Sequence, residues 1–161
     1  MIRAFKSVPV AHDVYRLEAL PAAASVYRRD AATFGWEDRL KVRARRESDT
    51  GFEFATTLPR GTVLRDGDCF VFDDLKVVVC VRELAEPVLV IRPASPREWG
   101  LFAYHIGNGH QPVMLTDTEI ICADLLGMGQ ILEFHGIPFV REERPFTPVG
   151  QIPDHRHSAS S

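Results

Sequence analysis

The 161-residue chain lacks the long apolar runs and the cysteine pairs that define several classes of protein. No stretch approaches the ~20 apolar residues that a membrane-spanning helix needs; the densest runs are residues 77–81 and 88–91. The first residues have no apolar segment of signal-peptide length. Cys69, Cys80 and Cys122 form no C-x-x-C pair, and their odd number does not suit a disulfide framework. We therefore expect a cytoplasmic protein without membrane contact, whose cysteines are small core residues.

The chain also lacks the short motifs that mark common active sites. It contains no G-x-S-x-G, no P-loop, no H-E-x-x-H and no G-x-G-x-x-G that opens a helix. Acidic pairs such as Asp73 and Asp74 lie in predicted turns, where solvation explains them better than general acid–base catalysis does. We therefore predict that the protein is not an enzyme, and that it has neither catalytic residues nor a site for an organic cofactor.

Positive charge is too dispersed to make nucleic acid the expected partner. Residues 1–65 carry twelve Lys and Arg against eight Asp and Glu, whereas residues 66–161 carry seven against fourteen. Arg43, Arg45 and Arg46 cluster, but their alternation with apolar residues indicates a solvated strand face. The alternative hypothesis is an RNA- or protein-binding module that uses these arginines as phosphate contacts. The acidic C-terminal half and the lack of paired aromatic residues on the strands disfavour it.

What the chain does contain is a change in periodicity near residue 76. Before it, short alternating strands and frequent turn signals predict a small all-β domain with a hairpin over residues 40–57. After it, the order β-α-β-β-α-β over residues 77–143 predicts a ferredoxin-like domain. The expected α+β architecture is therefore a β domain over residues 1–75, a ferredoxin-like domain over residues 76–150 and a mobile tail over residues 151–161.

The first predicted helix of the second domain has signals at both ends. Ser95 can cap it, Pro96 suits its first position, and Glu98 can close a capping box. Gly107 and Gly109 are expected to stop the helix. The histidine-containing segment that follows is therefore expected to lie at the C-terminal end of a well-defined helix.

Histidines carry the strongest indication of function. His105 is predicted to be partly buried within the first helix, and His135 to lie at the end of the second. His110 follows the first helix on an exposed connection, where the helix dipole favours a cation. A lone exposed histidine usually has no special role, but a two-fold axis beside it would bring two imidazoles to one ion. His155 and His157 could add donors, and imidazole suits Ni²⁺, Zn²⁺ and Cu²⁺.

A shared histidine site of this kind would leave coordination positions open. An incomplete and exposed site can release its metal, which is the property of a carrier. A metallohydrolase is disfavoured because one such histidine per chain provides no fixed set of three ligands and no identifiable base.

Three stretches of the chain resemble a known family. Residues 104–112, YHIGNGHQP, strongly resemble the Y-H-L-G-N-R-H-x-P signature of the urease accessory protein E family, the nickel metallochaperones of urease maturation. Residues 58–68 resemble its LPRG…LRDGD segment, and residues 144–148 resemble its closing A-P-F-x-P motif. The three stretches occur in the family's order, so the resemblance covers most of the chain.

The resemblance implies an N-terminal β domain for partner contact and a C-terminal ferredoxin-like domain that forms a homodimer. It implies that His110 binds Ni²⁺ jointly with the same residue of a second protomer, and that His155 and His157 add ligands. Zn²⁺ or Cu²⁺ is expected to bind the same site. The implied partners are the urease accessory GTPase and the complex of urease apoprotein with its accessory proteins. His105 matches the first histidine of the motif and is not predicted to be a ligand.

Overall fold

The computed structural model describes residues 7–150, which fall into two compact units. Residues 1–6 and 151–161 lie outside the described part of the chain. The chain divides into Met1–Glu83 and Leu84–Ser161. Each unit has its own sheet structure and its own buried core.

The N-terminal unit consists of small sheets joined by short turns. Its described elements are β1 (Val10–Ala11), β2 (Tyr15–Arg16), 3-10 turns at Leu17–Ala19 and Ala22–Val26, β3 (Arg28–Phe34), α1 (Trp36–Leu40), β4 (Arg43–Glu47), β5 (Glu53–Thr57), β6 (Asp68–Phe72), a 3-10 turn at Asp73–Leu75, and β7 (Val77–Glu83). One sheet has the strand order β1-β5-β4 and the other has the order β2-β6-β7-β3. The predicted β character of this half is confirmed, with α1 as a single helical turn between the two sheets.

Phenylalanine rings form the centre of the N-terminal core. The predicted hairpin forms between β4 and β5, and Gly51 supplies the left-handed φ of +89° that its turn requires. The ring centroid of Phe54 on β5 lies 5.5 Å from the ring centroids of both Phe70 and Phe72 on β6. Burial of each such ring contributes about 1.5–3 kcal/mol to stability. These contacts hold the two sheets together.

Strand β7 belongs to the N-terminal unit, so the chain divides at Glu83 and Leu84 rather than between residues 75 and 76. The strand pairs antiparallel with β6 and parallel with β3. Its residues Val77, Val79 and Val81 are buried in the same core as the phenylalanines. A β-branched run predicts a strand but does not say which sheet the strand joins. Residues 77–83 are therefore not the first strand of the C-terminal unit.

A buried carboxylate ties β3 to the turn between β4 and β5. Asp30 accepts hydrogen bonds of 2.5–2.8 Å from the hydroxyls of Ser48 and Thr50 and from a backbone N–H. Beside it, Asp49 accepts from the backbone and hydroxyl of Thr33 and so covers the outer edge of β3. Burial acts to raise the pKa of Asp30, but the hydrogen bonds from Thr50 and Ser48 outweigh burial, and this pKa lies below its ordinary value.

The C-terminal unit has the architecture that the sequence predicts. Its described elements are β8 (Glu86–Ile91), α2 (Pro96–Asn108), β9 (Val113–Leu115), β10 (Ile120–Ala123), α3 (Met128–Phe134) and β11 (Val140–Arg144). The sheet order is β11-β8-β10-β9, and all neighbouring strands are antiparallel. Strands β8 and β9 thus run in the same direction on either side of β10, and β10 and β11 do so on either side of β8. These interlocked split β–α–β units are ferredoxin-like, and the α+β fold class is confirmed.

The two helices of this unit pack on one face of the sheet. Phe102 and Ile106 of α2 and Met128 and Leu132 of α3 are buried in one cluster with Ile91 of β8. The predicted helical spacing of Phe102 and Ile106 is therefore confirmed as the buried face of α2. Among residues 7–150, no helix combines the length and the apolarity that a bilayer crossing demands.

Residues after β11 cover an edge of the sheet. Phe146 is fully buried, and the N–H of Val149 donates to the carbonyl of Val113 on β9 at 2.6 Å. An uncovered edge strand would present free backbone groups to other chains. The predicted mobile tail, residues 151–161, lies outside the described residues.

Two of the three cysteines are joined, contrary to the expectation that all three are separate core residues. Cys69 of β6 lies directly opposite Cys80 of β7 with a Cα–Cα distance of 4.2 Å, and their sulfur atoms form a disulfide. Cys122 is free and buried, and burial raises the pKa of its thiol to about 12. An odd number of cysteines is compatible with this bond because Cys122 is the residue left over.

We expect Asp30→Asn to lower the free energy of unfolding by about 1–3 kcal/mol at neutral pH, because the amide cannot accept all the hydrogen bonds of the buried carboxylate. A carboxylate whose folded-state pKa is lowered stabilises the fold above its unfolded-state pKa of ~3.9, and this stabilisation is lost as the pH falls through the folded-state value. The difference in the free energy of unfolding between wild type and variant should therefore be largest at neutral pH and shrink below about pH 4. Urea unfolding monitored by circular dichroism measures it.

Asp74→Asn is the matched control, since Asp74 is exposed on the turn before β7. Its free energy of unfolding should stay within about 0.5 kcal/mol of wild type. If the difference in the free energy of unfolding between Asp30→Asn and wild type does not change with pH, the carboxylate does not have the assigned role.

Candidate metal centre

Helix α2 begins where the sequence predicts and carries the histidine segment to one end of the C-terminal unit. The Ser95 hydroxyl accepts from the N–H of Glu98 at 3.2 Å, and the Glu98 carboxylate accepts from the N–H of Ala94 at 2.6 Å. Pro96 is the first residue of the helix. Because these contacts determine where the 13-residue helix starts, they also determine the position of its other end, roughly 20 Å away.

Helix α2 ends at the second of its two predicted stop signals and not at the first. The helix continues through Gly107 to Asn108, so Gly107 does not stop it, whereas Gly109 is the C-cap as predicted. The N–H groups of Gly109 and His110 donate to carbonyls three residues earlier, at 3.1 and 3.0 Å. His110 then adopts a φ of 52°, in the left-handed region that favours glycine. The chain reverses at this residue and continues into β9.

The imidazole of His110 is available to a ligand. The side chain is exposed, and it has no hydrogen bond, ion pair or ring contact with other residues in the range 7–150. The side chain of Gln111 donates to the carbonyl of Gly109 at 3.1 Å and so supports the turn that presents the ring. The ring follows the last turn of α2, where the negative end of the helix dipole favours a bound cation.

Two other histidines of the C-terminal unit contact each other instead. His105 on α2 and His135 at the end of α3 stack with ring centroids 4.1 Å apart and an interplanar angle of 22°. Tyr104 and Phe134 meet these rings edge-on. The partly buried position of His105 agrees with its prediction, whereas the stack was not predicted because it joins residues of two separate helices.

Two carboxylates of the C-terminal unit are held by arginines. Glu119 and Glu142 each bind both Arg92 and Arg144, with N–O distances of 2.6–3.0 Å. The hydrogen bond from Arg144 lowers the pKa of Glu119, and the hydrogen bond from Arg92 lowers the pKa of Glu142. Since these oxygens serve in structural ion pairs, the imidazole of His110 is a more accessible donor for a metal than they are.

One chain does not complete a metal site within its described part. No three His, Cys, Asp or Glu side chains converge among residues 7–150. A closed tetrahedral site needs four ligands, and His110 supplies a single one. His155 and His157, predicted as further ligands, lie outside the described residues and stay predictions.

Helices α2 and α3 also expose large apolar side chains. Tyr104 and Phe134 have exposed fractions of 63% and 84%, and Leu101 and Ile131 are exposed beside them on the same helices. We call these four residues the helical apolar patch. The stacked histidines link Tyr104 to Phe134, so the two helices present one surface. Contiguous exposed apolar area of this kind marks sites of association in soluble proteins.

Two family profiles match successive parts of the chain. The profile described as UreE urease accessory protein, N-terminal domain, matches residues 15–82, and the profile for the C-terminal domain of the same protein matches residues 86–161. The chain belongs to the UreE urease accessory protein family. Membership confirms the resemblance of the chain to this family. Because this is a family of accessory proteins, the prediction that the chain is not an enzyme is also confirmed.

Relatives of the UreE family are similar over most of the chain. Urease accessory protein UreE of Burkholderia ambifaria is 38% identical over 128 residues, which cover 75% of this chain and 63% of the relative. The protein of the same name from Burkholderia orbicola is 44% identical over 111 residues, covering 65% and 54%. That of Burkholderia vietnamiensis is 37% identical over 127 residues, covering 79% and 63%. The matched region thus spans between about half and two thirds of these relatives.

The arginine cluster is not the solvated strand face that its alternation indicates. Arg43 and Arg45 are exposed on β4, but Arg46 is buried. Its guanidinium donates to the Thr56 hydroxyl at 3.1 Å and to two backbone carbonyls, and it lies 4.8 Å from the centroid of the Phe34 ring. Burial lowers the pKa of Arg46. The cluster therefore offers two exposed arginines rather than the three that the RNA-binding hypothesis uses.

We expect His110→Gly to remain folded and to be as stable as wild type or up to about 1 kcal/mol more stable. The left-handed backbone costs a non-glycine residue about 1–2 kcal/mol, and the greater flexibility of glycine in the unfolded chain offsets part of this gain. His110→Val, which is β-branched, should be destabilised by more than about 1 kcal/mol. Urea unfolding in the presence of a chelator measures both variants.

His12→Gly provides the comparison, since His12 is exposed and has no positive φ. The free energy of unfolding of His12→Gly should not exceed that of wild type. If His110→Gly is destabilised as much as His12→Gly or more, the backbone conformation is not what limits the choice of residue at position 110.

Proposed function

We propose that the chain is a nickel metallochaperone that supplies Ni²⁺ for assembly of the urease metallocentre, with the ion held between two protomers. Family membership supports a role in urease maturation. The observation that supports the site best is the exposed imidazole of His110, which has no partner among residues 7–150 and stands at the end of α2 within the family's histidine motif.

A two-fold dimer would complete the site. One His110 per chain cannot enclose an ion, but a symmetry axis beside the ring would bring two imidazoles to the same ion. Two imidazoles leave several coordination positions open, and His155 and His157 would fill some of them. Imidazole binds Ni²⁺, Zn²⁺ and Cu²⁺, so Zn²⁺ and Cu²⁺ would occupy the same site. An exposed and incompletely ligated ion can be passed on, as a delivery function requires.

The helical apolar patch is the surface that we assign to the homodimer. It lies on α2, the helix that ends beside His110, so association through this face would bring two such helices together. Exposed aromatic residues such as Tyr104 and Phe134 are common anchors of protein interfaces. We further propose that the N-terminal unit contacts the urease accessory GTPase and the complex of urease apoprotein with accessory proteins, and that the protein acts in the cytoplasm.

Nickel titration calorimetry tests the shared site. Wild type should bind Ni²⁺ with one principal site per two chains, and His110→Asn should lose that site in both protomers while remaining folded, because asparagine tolerates the left-handed backbone.

Truncation after Pro153 should keep the central ion but bind it more weakly. Binding by wild type should weaken as the pH falls through ~6.5, since protons and metal compete for the same imidazole nitrogen.

His12→Asn is the matched control, since it removes an exposed imidazole of the other unit and should keep the principal site. A folded His110→Asn variant with wild-type affinity and stoichiometry would show that another residue holds the metal. Affinity that does not change across the histidine range would instead point to carboxylate ligands.

The metal-free protein should already be a dimer, because a single pair of imidazoles cannot offset the free-energy cost of association without prior contact area. Phe134→Glu should weaken this dimer by at least about thirtyfold in Kd, as expected when a central aromatic anchor is lost. Val26→Glu is the control, since Val26 is an 87% exposed apolar residue of the other unit. Sedimentation in the presence of a chelator measures both. A monomeric metal-free wild type at micromolar concentration would exclude this assembly.

A further inference from the structure

The N-terminal unit contains an open groove that the proposed nickel function does not use. The groove has a volume of about 780 Å³ and a largely apolar floor that includes Leu17, Ala31, Cys80 and Val81. It lies over β3 and β7, and we call it the β3–β7 groove. Its volume is within the range of about 300–1,000 Å³ that is typical of sites for small molecules.

Only one of the two disulfide-bonded cysteines lines this groove. Cys80 lines the groove and is partly exposed, whereas Cys69 is fully buried and is not part of the lining. A thiolate that enters the groove therefore meets Cys80 and cannot approach Cys69 directly. Exchange depends on which sulfur is accessible, and this geometry makes Cys69 the leaving group.

The charged groups of the groove suit a particular class of thiol. Arg29 and Arg82 line it, are exposed, and have no ion-pair partner among residues 7–150. The carboxylate of Asp66, at the rim, likewise has no side-chain partner within that range. Asp30 and Asp49 also line the groove, but their oxygens are already bound by hydroxyl and backbone donors. Asp30 and Asp49 remain negatively charged, so the lining carries three carboxylates and two guanidinium groups. The charged side chains still free to bind a ligand are those of Arg29, Arg82 and Asp66.

We propose that the β3–β7 groove is a site of thiol–disulfide exchange with a small anionic thiol of the glutathione class. Such a tripeptide thiol carries two carboxylates and one ammonium group, which complement Arg29, Arg82 and Asp66. The site is separate in residues and in chemistry from the histidine site.

In the exchange step, the ligand thiolate attacks Sγ of Cys80. A bond forms between the ligand sulfur and Cys80, the Cys69–Cys80 bond breaks, and its electron pair leaves on Sγ of Cys69, which takes a proton from water. The reverse attack by Cys69 expels the ligand and restores the disulfide. A second ligand thiolate can instead attack the ligand sulfur, which yields the ligand disulfide and leaves both cysteines reduced. In a reducing compartment a disulfide that turns over in this way serves as a redox-sensitive modification site.

The mixed disulfide can be trapped in the full-length chain by Cys69→Ser, which removes the residue that expels the ligand. Incubation with oxidised glutathione should add one glutathionyl group, and peptide mapping by mass spectrometry should place it on Cys80. Cys80→Ser should take up none, because Cys69 is buried, and Cys122 should stay unmodified in both variants because it too is buried. Circular dichroism checks folding, and Cys69→Ala serves as a second trapping variant. Absence of an adduct on Cys80 in folded protein would overturn the proposal.

Kinetics of the unmutated cysteine pair provide an independent test. Wild type purified without reductant and then denatured should show one free thiol, that of Cys122. Replacement of both Arg29 and Arg82 by glutamine should slow reduction by glutathione about tenfold while leaving reduction by neutral 2-mercaptoethanol unchanged. The control replaces Arg43 and Arg45, which are exposed on β4 and do not line the groove. Three free thiols in wild type, or equal effects of the two arginine pairs, would refute the site.

Discussion

Strand β8 is the element on which the C-terminal unit depends. It pairs with β11 on one side and with β10 on the other, and the run Val88–Ile91 is buried throughout. Helix α2 starts at the end of this strand and leads to β9, which lies beyond β10 in the sheet. A crossover between two strands of the same direction has a strongly preferred hand. The position of His110, at the far end of that crossover, is therefore a consequence of the pairing of a central strand.

Features set by neighbouring residues could be predicted from the sequence. The start of α2 depends on Ala94, Ser95, Pro96 and Glu98, which are adjacent in the chain and form the expected cap. The β4–β5 hairpin depends on a turn that contains Gly51. The exposed position of His110 follows from the end of the same helix. Local hydrogen bonding and backbone preference are enough to fix such features, so a sequence pattern contains most of the information.

Features set by contacts between distant elements could not be predicted in the same way. Arg46 has the spacing of an exposed strand residue, and its burial depends on acceptors and on a ring supplied by other segments. The sequence does contain a signal for the cysteine pair. Strands β6 and β7 form a hairpin in which Phe72 faces Val77, and Cys69 and Cys80 lie three residues from this pair on either side. Equal distance from a turn places two residues opposite each other, so the hairpin alone predicts their contact.

The state of the cysteines bears on which ligands a metal can find in this chain. Thiolates bind Zn²⁺ and Cu⁺ firmly and would compete with the borderline imidazole donors of a carrier site. Cys69 and Cys80 cannot act as ligands while they are bonded to each other, and the Cys122 thiol, with its pKa raised to about 12, stays protonated at neutral pH. While the disulfide is intact, these sulfur atoms cannot act as ligands, and an ion carried as we propose would be bound only by nitrogen and oxygen atoms, which release it more readily. Reduction through the β3–β7 groove would free one accessible soft donor, Cys80, because Cys69 is fully buried. The redox state of the N-terminal unit would then alter the competition for metal without any change at His110.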